Sequence, residues 1–152
     1  SMVQSMQGYA RELEKQFGVF CKVESADGDA KLTSEAAAHC FLIFKEAVGN
    51  AIRHGRATRI EVAFRQSEGR VLFQVCDNGC GFDRAAMAES ERGLGLRSMR
   101  ERAEWLGGSC HIESRRGHGT RVTVQLPLHQ AAITSPSLSG ERPTSAPRQF
   151  EA

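Results

Sequence analysis

The sequence predicts a two-layer α/β (α+β) sandwich, with about five strands in one mixed, mostly antiparallel sheet and three helices stacked on one face. Three observations carry this. Three segments show helical spacing of apolar residues, two strand pairs are each joined by a short turn-rich stretch, and one further strand stands alone between the first two helices.

Taken in order, residues 3–17 (Val3 to Phe17) read as a helix that Gly18 is placed to end. Val19-Phe20-Cys21-Lys22-Val23-Glu24 reads as a short strand, and Ser25-Ala26-Asp27-Gly28-Asp29 is turn chemistry. A long helix opens at Thr33 or Ser34 as N-cap with Glu35 in its first turn, and stops near Gly55. Ala37, Cys40, Phe41, Phe44, Ala47, Val48 and Ala51 form its apolar stripe. Residues 60–64 and 71–75 pair across Ser67-Glu68-Gly69. Residues 77–92 are loop-like, 96–106 is a helix ended by Gly107-Gly108, and 110–114 pairs with 121–126 across Arg116-Gly117-His118-Gly119. From about His129 the composition turns to Ser, Pro, Thr and Ala. Such a segment buries too little surface to offset its ordering entropy, so 129–152 is expected to be a disordered tail. The chain thus divides into an N-terminal helix (1–18), a folded domain (19–128) and the tail. Ser1-Met2 has the look of a cloning remnant, which would place the natural start further upstream.

Composition narrows the function classes. With 152 residues, 40% hydrophobic and 25% charged, the chain suits one soluble globular domain. The net charge of +2 is spread along the chain and leaves no basic stripe for nucleic acid. No apolar run approaches the roughly 20 residues of a membrane helix, and no signal segment opens the chain. Five cysteines without a CxxC pair, and five histidines without ligand spacing, argue against zinc and for a reducing cytoplasm. Cys21, Cys40 and Cys76 sit in apolar stretches and read as small buried hydrophobes.

Three short patterns carry chemistry. On the long helix Glu46 and Asn50 are one turn apart, and Arg53 falls on the same stripe, offset by roughly 130° from the apolar one. Alone, that is more often a solvated polar face. Asp77-Asn78-Gly79-Cys80-Gly81 follows a strand directly: the carboxylate is placed to accept from a ligand amino group, and the glycines let backbone approach it. Alone, it is equally an ordinary turn. Arg92-Gly93-Leu94-Gly95-Leu96 leads into a helix whose N-terminal N–H groups suit phosphate, or is simply a flexible start.

Their order is more telling than any one of them. Lys45-Glu46-Ala47-Val48-Gly49-Asn50-Ala51-Ile52-Arg53-His54 is similar to the N box, Asp77-Asn78-Gly79-Cys80-Gly81-Phe82 to the G1 box, and Gly93-Leu94-Gly95-Leu96 to the G2 box of one ATPase superfamily. That superfamily (GHKL, the Bergerat fold) joins histidine kinases to type II topoisomerases, a heat-shock chaperone and mismatch-repair ATPases. Residues 114–127, with Gly117, Gly119 and Thr120, resemble its closing hairpin. Residues 97–108 look most like the sensor histidine kinases that partner response regulators with helix-turn-helix outputs.

The resemblance, spanning about residues 31–128, implies ATP and Mg²⁺ as cofactors. It implies Asn50 as the Mg²⁺ ligand, Asp77 as acceptor for the adenine 6-amino group, and Gly79, Gly81, Gly93, Leu94, Gly95 and Leu96 around the nucleotide. Arg53 and His54 become phosphate-side candidates, Thr120 an adenine-edge residue and Glu46 the general base. His54 also fits a plain helix-end histidine. The family's phosphoacceptor histidine lies on an upstream dimerisation module not found here. This chain is therefore expected to bind ATP as a monomer, to need that module in trans, and to come from a cytoplasmic or membrane-anchored parent. The eleven residues between Gly81 and Gly93 would form a short lid that orders on nucleotide binding. An anti-sigma-factor serine kinase, which shares the Asn-x-x-x-His-Gly sequence at Asn50–Gly55, is the nearest alternative. A regulatory nucleotide-binding module without catalysis is the next.

Overall fold

The computed structural model describes residues 1–28, 31–83 and 95–128. The elements are α1 (Met2–Phe17), β1 (Phe20–Ser25), α2 (Ser34–Arg53), β2 (Arg59–Ser67), β3 (Arg70–Asp77), α3 (Leu96–Trp105), β4 (Ser109–Ser114) and β5 (Thr120–Pro127). The sheet order is β1-β2-β3-β5-β4. Only β1 and β2 run parallel; the other three pairs are antiparallel. A parallel pair needs a crossover, and α2 supplies it. The expected sandwich, with a mixed and mostly antiparallel sheet, is what the chain adopts. Residues 84–92 of the expected lid, with Gly93 and Leu94, and the expected tail 129–152 lie outside the described residues.

Each element has a local cause. Thr33 caps α2 by accepting the Ala36 N–H at 3.1 Å, and Glu35 sits in the positive first turn. The β2–β3 turn places Glu68 and Gly69 both in the left-handed region, at φ 51° and 72°, the two-residue geometry that matches strand twist. Along the strands burial alternates. Val62, Phe64, Val71, Phe73, Val75, Val122, Val124, Leu126 and Ile112 point into the core, while Arg59, Glu61, Arg121 and Glu113 point out. Phe64 and Phe73 face each other across β2 and β3, with stacked rings 4.5 Å apart.

The helices close that face. α2 buries Ala36, Cys40, Ile43, Phe44, Ala47, Val48 and Ala51. The expected stripe is thereby corrected at four positions: Ala36 and Ile43, which it left out, are fully buried, whereas Ala37 and Phe41 are half-buried. The cause is α1, which lies beside α2 and draws Phe41 towards Tyr9 (ring centroids 6.1 Å apart). α1 places Val3, Met6, Ala10 and Leu13 in the same core as the sheet, so residues 1–18 pack as part of the folded unit. Cys21 and Cys40 are buried as expected, which pushes their thiols up to about 11 and about 12. Cys76 is corrected: it is half-buried, because its place between inward Val75 and the strand end turns it to the open face of the sheet. Among the described residues no helix is long and apolar enough to cross a membrane.

Candidate functional site

The three sequence patterns converge on the C-terminal half of α2. At its far end, the Asn50 carbonyl accepts the N–H groups of His54 and Gly55, both at 3.0 Å, and closes the helix. The Gly55 carbonyl then accepts the Cys80 N–H at 2.8 Å, tying the loop after β3 to the end of α2. Gly79 sits so close to this junction that a Cβ there would lie 2.8 Å from the Gly55 oxygen.

On the other side the same loop is held by the β4–β5 hairpin. Gly117 N–H donates to the Cys80 carbonyl at 2.7 Å, and Phe82 N–H donates to Ser114 Oγ at 2.9 Å. Gly81 takes a left-handed φ of 61°, and a Cβ on it would fall on the Arg115 carbonyl. Asn78 braces the turn from outside: its Oδ1 accepts from the N–H groups of Thr58 and Arg59, each at 2.9 Å, and its Nδ2 donates to Thr58 Oγ1.

This bracing fixes Asp77. Its Oδ1 accepts the Gly79 N–H at 2.8 Å, and Thr120, its ladder partner on β5, also donates a backbone N–H to the carboxyl. Burial pushes the Asp77 carboxyl above the ordinary aspartate range, while the two N–H bonds pull it part of the way back. A half-buried carboxylate held by backbone N–H groups is a directed hydrogen-bond acceptor.

Glu46 and Asn50 occupy the neighbouring turn. The Glu46 carboxyl lies against Gly95, where any side chain would collide with it: a Cβ there would come within 2.7 Å of Glu46 Cγ, and closer still to the carboxyl atoms. Gly95 also ends the loop into α3 with φ 62°, and no side chain caps that helix, so its first N–H groups face the same region. Leu96 is half-buried against the core. Asn50 Oδ1 is sealed from solvent. Among the described residues no cluster of three His, Cys, Asp or Glu could hold a metal ion. The side-chain oxygen of Asn50 suits a hard divalent cation that takes its remaining ligands from phosphate and water.

The structure therefore gathers Glu46, Asn50, Asp77, Gly79, Gly81, Gly95, Leu96 and Thr120 around one end of α2. Arg53 and His54 are exposed beyond them, and the Arg53 guanidinium folds back over Gly49, which has no side chain to exclude it. Gly93 and Leu94 lie outside the described residues. Sequence reading missed Asn78, Ser114 and the Gly55 carbonyl as supports. Only Asn78 left a signal, since an Asn beside Gly in a turn has a free amide with which to brace backbone.

With this fold and this arrangement, the chain belongs to the histidine kinase-, DNA gyrase B- and HSP90-like ATPase family, whose model matches residues 35–130. Within that family its relatives are sensor kinases. It is 28% identical over 124 residues to the oxygen sensor histidine kinase NreB of Staphylococcus carnosus, covering 82% of this chain and 35% of that protein. It is 37% identical over 97 residues to the sensor protein VraS of Staphylococcus epidermidis, covering 64% of this chain and 27% of VraS. The chain thus spans about a third of the length of these curated relatives. Solved structures share the fold. The histidine kinase domain of the blue-light activated histidine kinase from Erythrobacter litoralis EL346 aligns with TM-score 0.72 at 22% identity, over 86% of this chain and 63% of that one. The ATP binding domain of PrrB from Mycobacterium tuberculosis aligns with TM-score 0.67 at 24% identity, over 83% and 93%.

Proposed function

We propose that the chain is the ATP-binding catalytic domain of a two-component sensor histidine kinase, passing the γ-phosphoryl group of ATP to a histidine on a dimerisation module of the parent protein. From that histidine the phosphoryl group passes to a response regulator. The observation that carries the reading is the convergence of the Asp77 loop, the Glu46–Asn50 turn and the uncapped start of α3 on one end of α2.

Each side chain then has a task. Asp77 accepts from the adenine 6-amino group, which selects adenine over a base with a carbonyl there. The N–H groups at the start of α3 face the phosphates. Asn50 would supply its side-chain oxygen to Mg²⁺. A divalent cation held there would supply charge neutralisation to the phosphates. Glu46 orients the acceptor imidazole and takes its N–H proton as the new N–P bond forms and ADP leaves. Arg53 would reach phosphate only by unfolding from Gly49.

The test is radiolabelling from γ-labelled ATP, with the histidine-bearing module of a sensor kinase added in trans. Label that is lost in acid and kept in base marks phosphohistidine, the expected result. Label on serine would favour the anti-sigma-factor kinase instead. No label in any partner, despite nucleotide binding, would favour a regulatory module without catalysis.

A further inference from the structure

The hairpin between β4 and β5 carries a hydroxyl at the centre of the site's support. Ser114 ends β4, is half-buried, and lies opposite Thr120 in the ladder. Its Oγ meets three groups: the Phe82 N–H at 2.9 Å, the Gly119 carbonyl at 3.1 Å and Thr120 Oγ1 at 2.8 Å. A serine hydroxyl has one proton and two lone pairs. Phe82 N–H takes one lone pair. Were the proton given to Thr120, the Gly119 carbonyl would face the remaining lone pair with no hydrogen between the two oxygens. Only one arrangement makes every contact a hydrogen bond: Ser114 donates to Gly119, and Thr120 donates to Ser114. The Thr120 proton is then turned inward, and Oγ1 offers the site lone pairs alone.

Thr120 is also the ladder partner of Asp77 and donates its backbone N–H to that carboxyl. The edge built by Asp77 and Thr120 therefore presents acceptors only. We propose that Ser114 is a specificity-determining positioning residue. By holding the Thr120 hydroxyl proton, it keeps this edge selective for a purine with an amino group and against one with a carbonyl at the same position. It acts through Thr120, and through the Phe82 N–H that fixes the chain after Gly81; it need not touch the nucleotide. The inference rests on the nucleotide reading of Asp77 above.

The test is calorimetric titration of the whole chain with ADP and with inosine diphosphate, which at that edge carries a carbonyl in place of the amino group and a proton on the neighbouring ring nitrogen in both wild type and variant. In Ser114→Ala the Thr120 hydroxyl is free to turn and donate to the carbonyl. The preference for ADP over inosine diphosphate should then shrink on the order of tenfold, the worth of one neutral hydrogen bond. Ser114→Thr, which keeps the hydroxyl, should restore the preference, a rescue that a purely structural role does not predict. If the alanine variant does not fold, Ser114→Val removes the hydroxyl while keeping the shape of the threonine variant, and the two are compared. A wild type that prefers ADP, with the same preference in the folded alanine or valine variant, overturns the role of Ser114 and leaves the nucleotide reading standing. A folded wild type that binds neither nucleotide overturns both.

Discussion

Glu46→Gln is expected to slow phosphoryl transfer to a histidine supplied in trans by about 10²- to 10⁴-fold, the usual worth of a general base, while leaving ADP affinity unchanged. Glutamine keeps the size of the side chain and hence its packing against Gly95, so α2 and the start of α3 stay in register. What it loses is the charge and the capacity to take the imidazole proton. The competing possibility is that Glu46 is only a spacer between the two helices, and single-turnover kinetics separate the two. Transfer at the wild-type rate in Glu46→Gln would make Glu46 a packing residue and leave the base unassigned.

The second large effect is on stability. Gly81→Ala should lower the unfolding free energy by about 3–5 kcal/mol, in the upper range for single substitutions. Gly69→Ala, the control, should lose only about 1–2 kcal/mol, the cost of a left-handed alanine. Both glycines have positive φ, 61° and 72°. Around Gly69 no atom lies within 4 Å of the added carbon, whereas at Gly81 that carbon falls on the Arg115 carbonyl and 2.7 Å from the Gly119 oxygen. Relieving the overlap means moving the hairpin that carries Ser114 and Thr120, so nucleotide binding should weaken together with stability. Thermal unfolding of both variants checks this. Equal shifts would mean that the loop and the hairpin part at no cost, and that the hydrogen bonds between them do not hold Asp77 in place.

Much of this architecture was legible in the sequence because local rules and tertiary packing agree. Residues 60–64 and 71–75 read as paired strands, and Ser67-Glu68-Gly69 marked their turn. Thr33 with Glu35 marked the start of α2 within one residue. What failed to show had non-local causes. Phe41 is at helical spacing with Cys40 and Phe44, but α1 lies beside it, and a stripe read from one helix does not reveal a second. Cys76 follows an apolar run, yet the period of two turns it outward.

The site divides in the same way. Glu46, Asn50, Asp77 and the glycines stood out through residue type and order. The groups that position them are backbone carbonyls at Gly55 and Gly119 and a serine hydroxyl 32 residues from the amide it holds. Carbonyls carry no residue signature, and Ser114 beside two arginines in a turn looks like any solvated serine. Arg53, which spacing placed on the functional stripe, instead lies back along its own helix over Gly49.

The most direct measurement is calorimetric titration of ADP, with Mg²⁺, into the wild type and Asp77→Asn across a range of pH. At neutral pH the wild type should bind saturably and Asp77→Asn about 10- to 100-fold more weakly, since the acceptor loses its charge and the amide N–H₂ competes for its place. On acidification the wild type should also weaken. Burial raises the Asp77 carboxyl, so it takes up its proton at a higher pH than an exposed aspartate and then accepts from the amino group only as a neutral, weaker acceptor. Below that point affinity should fall about tenfold per pH unit, until the remaining contacts set the floor. Asp77→Asn should show no such fall. A folded wild type with no saturable binding, or one whose affinity and pH dependence match those of Asp77→Asn, would contradict the placement of the nucleotide at Asp77.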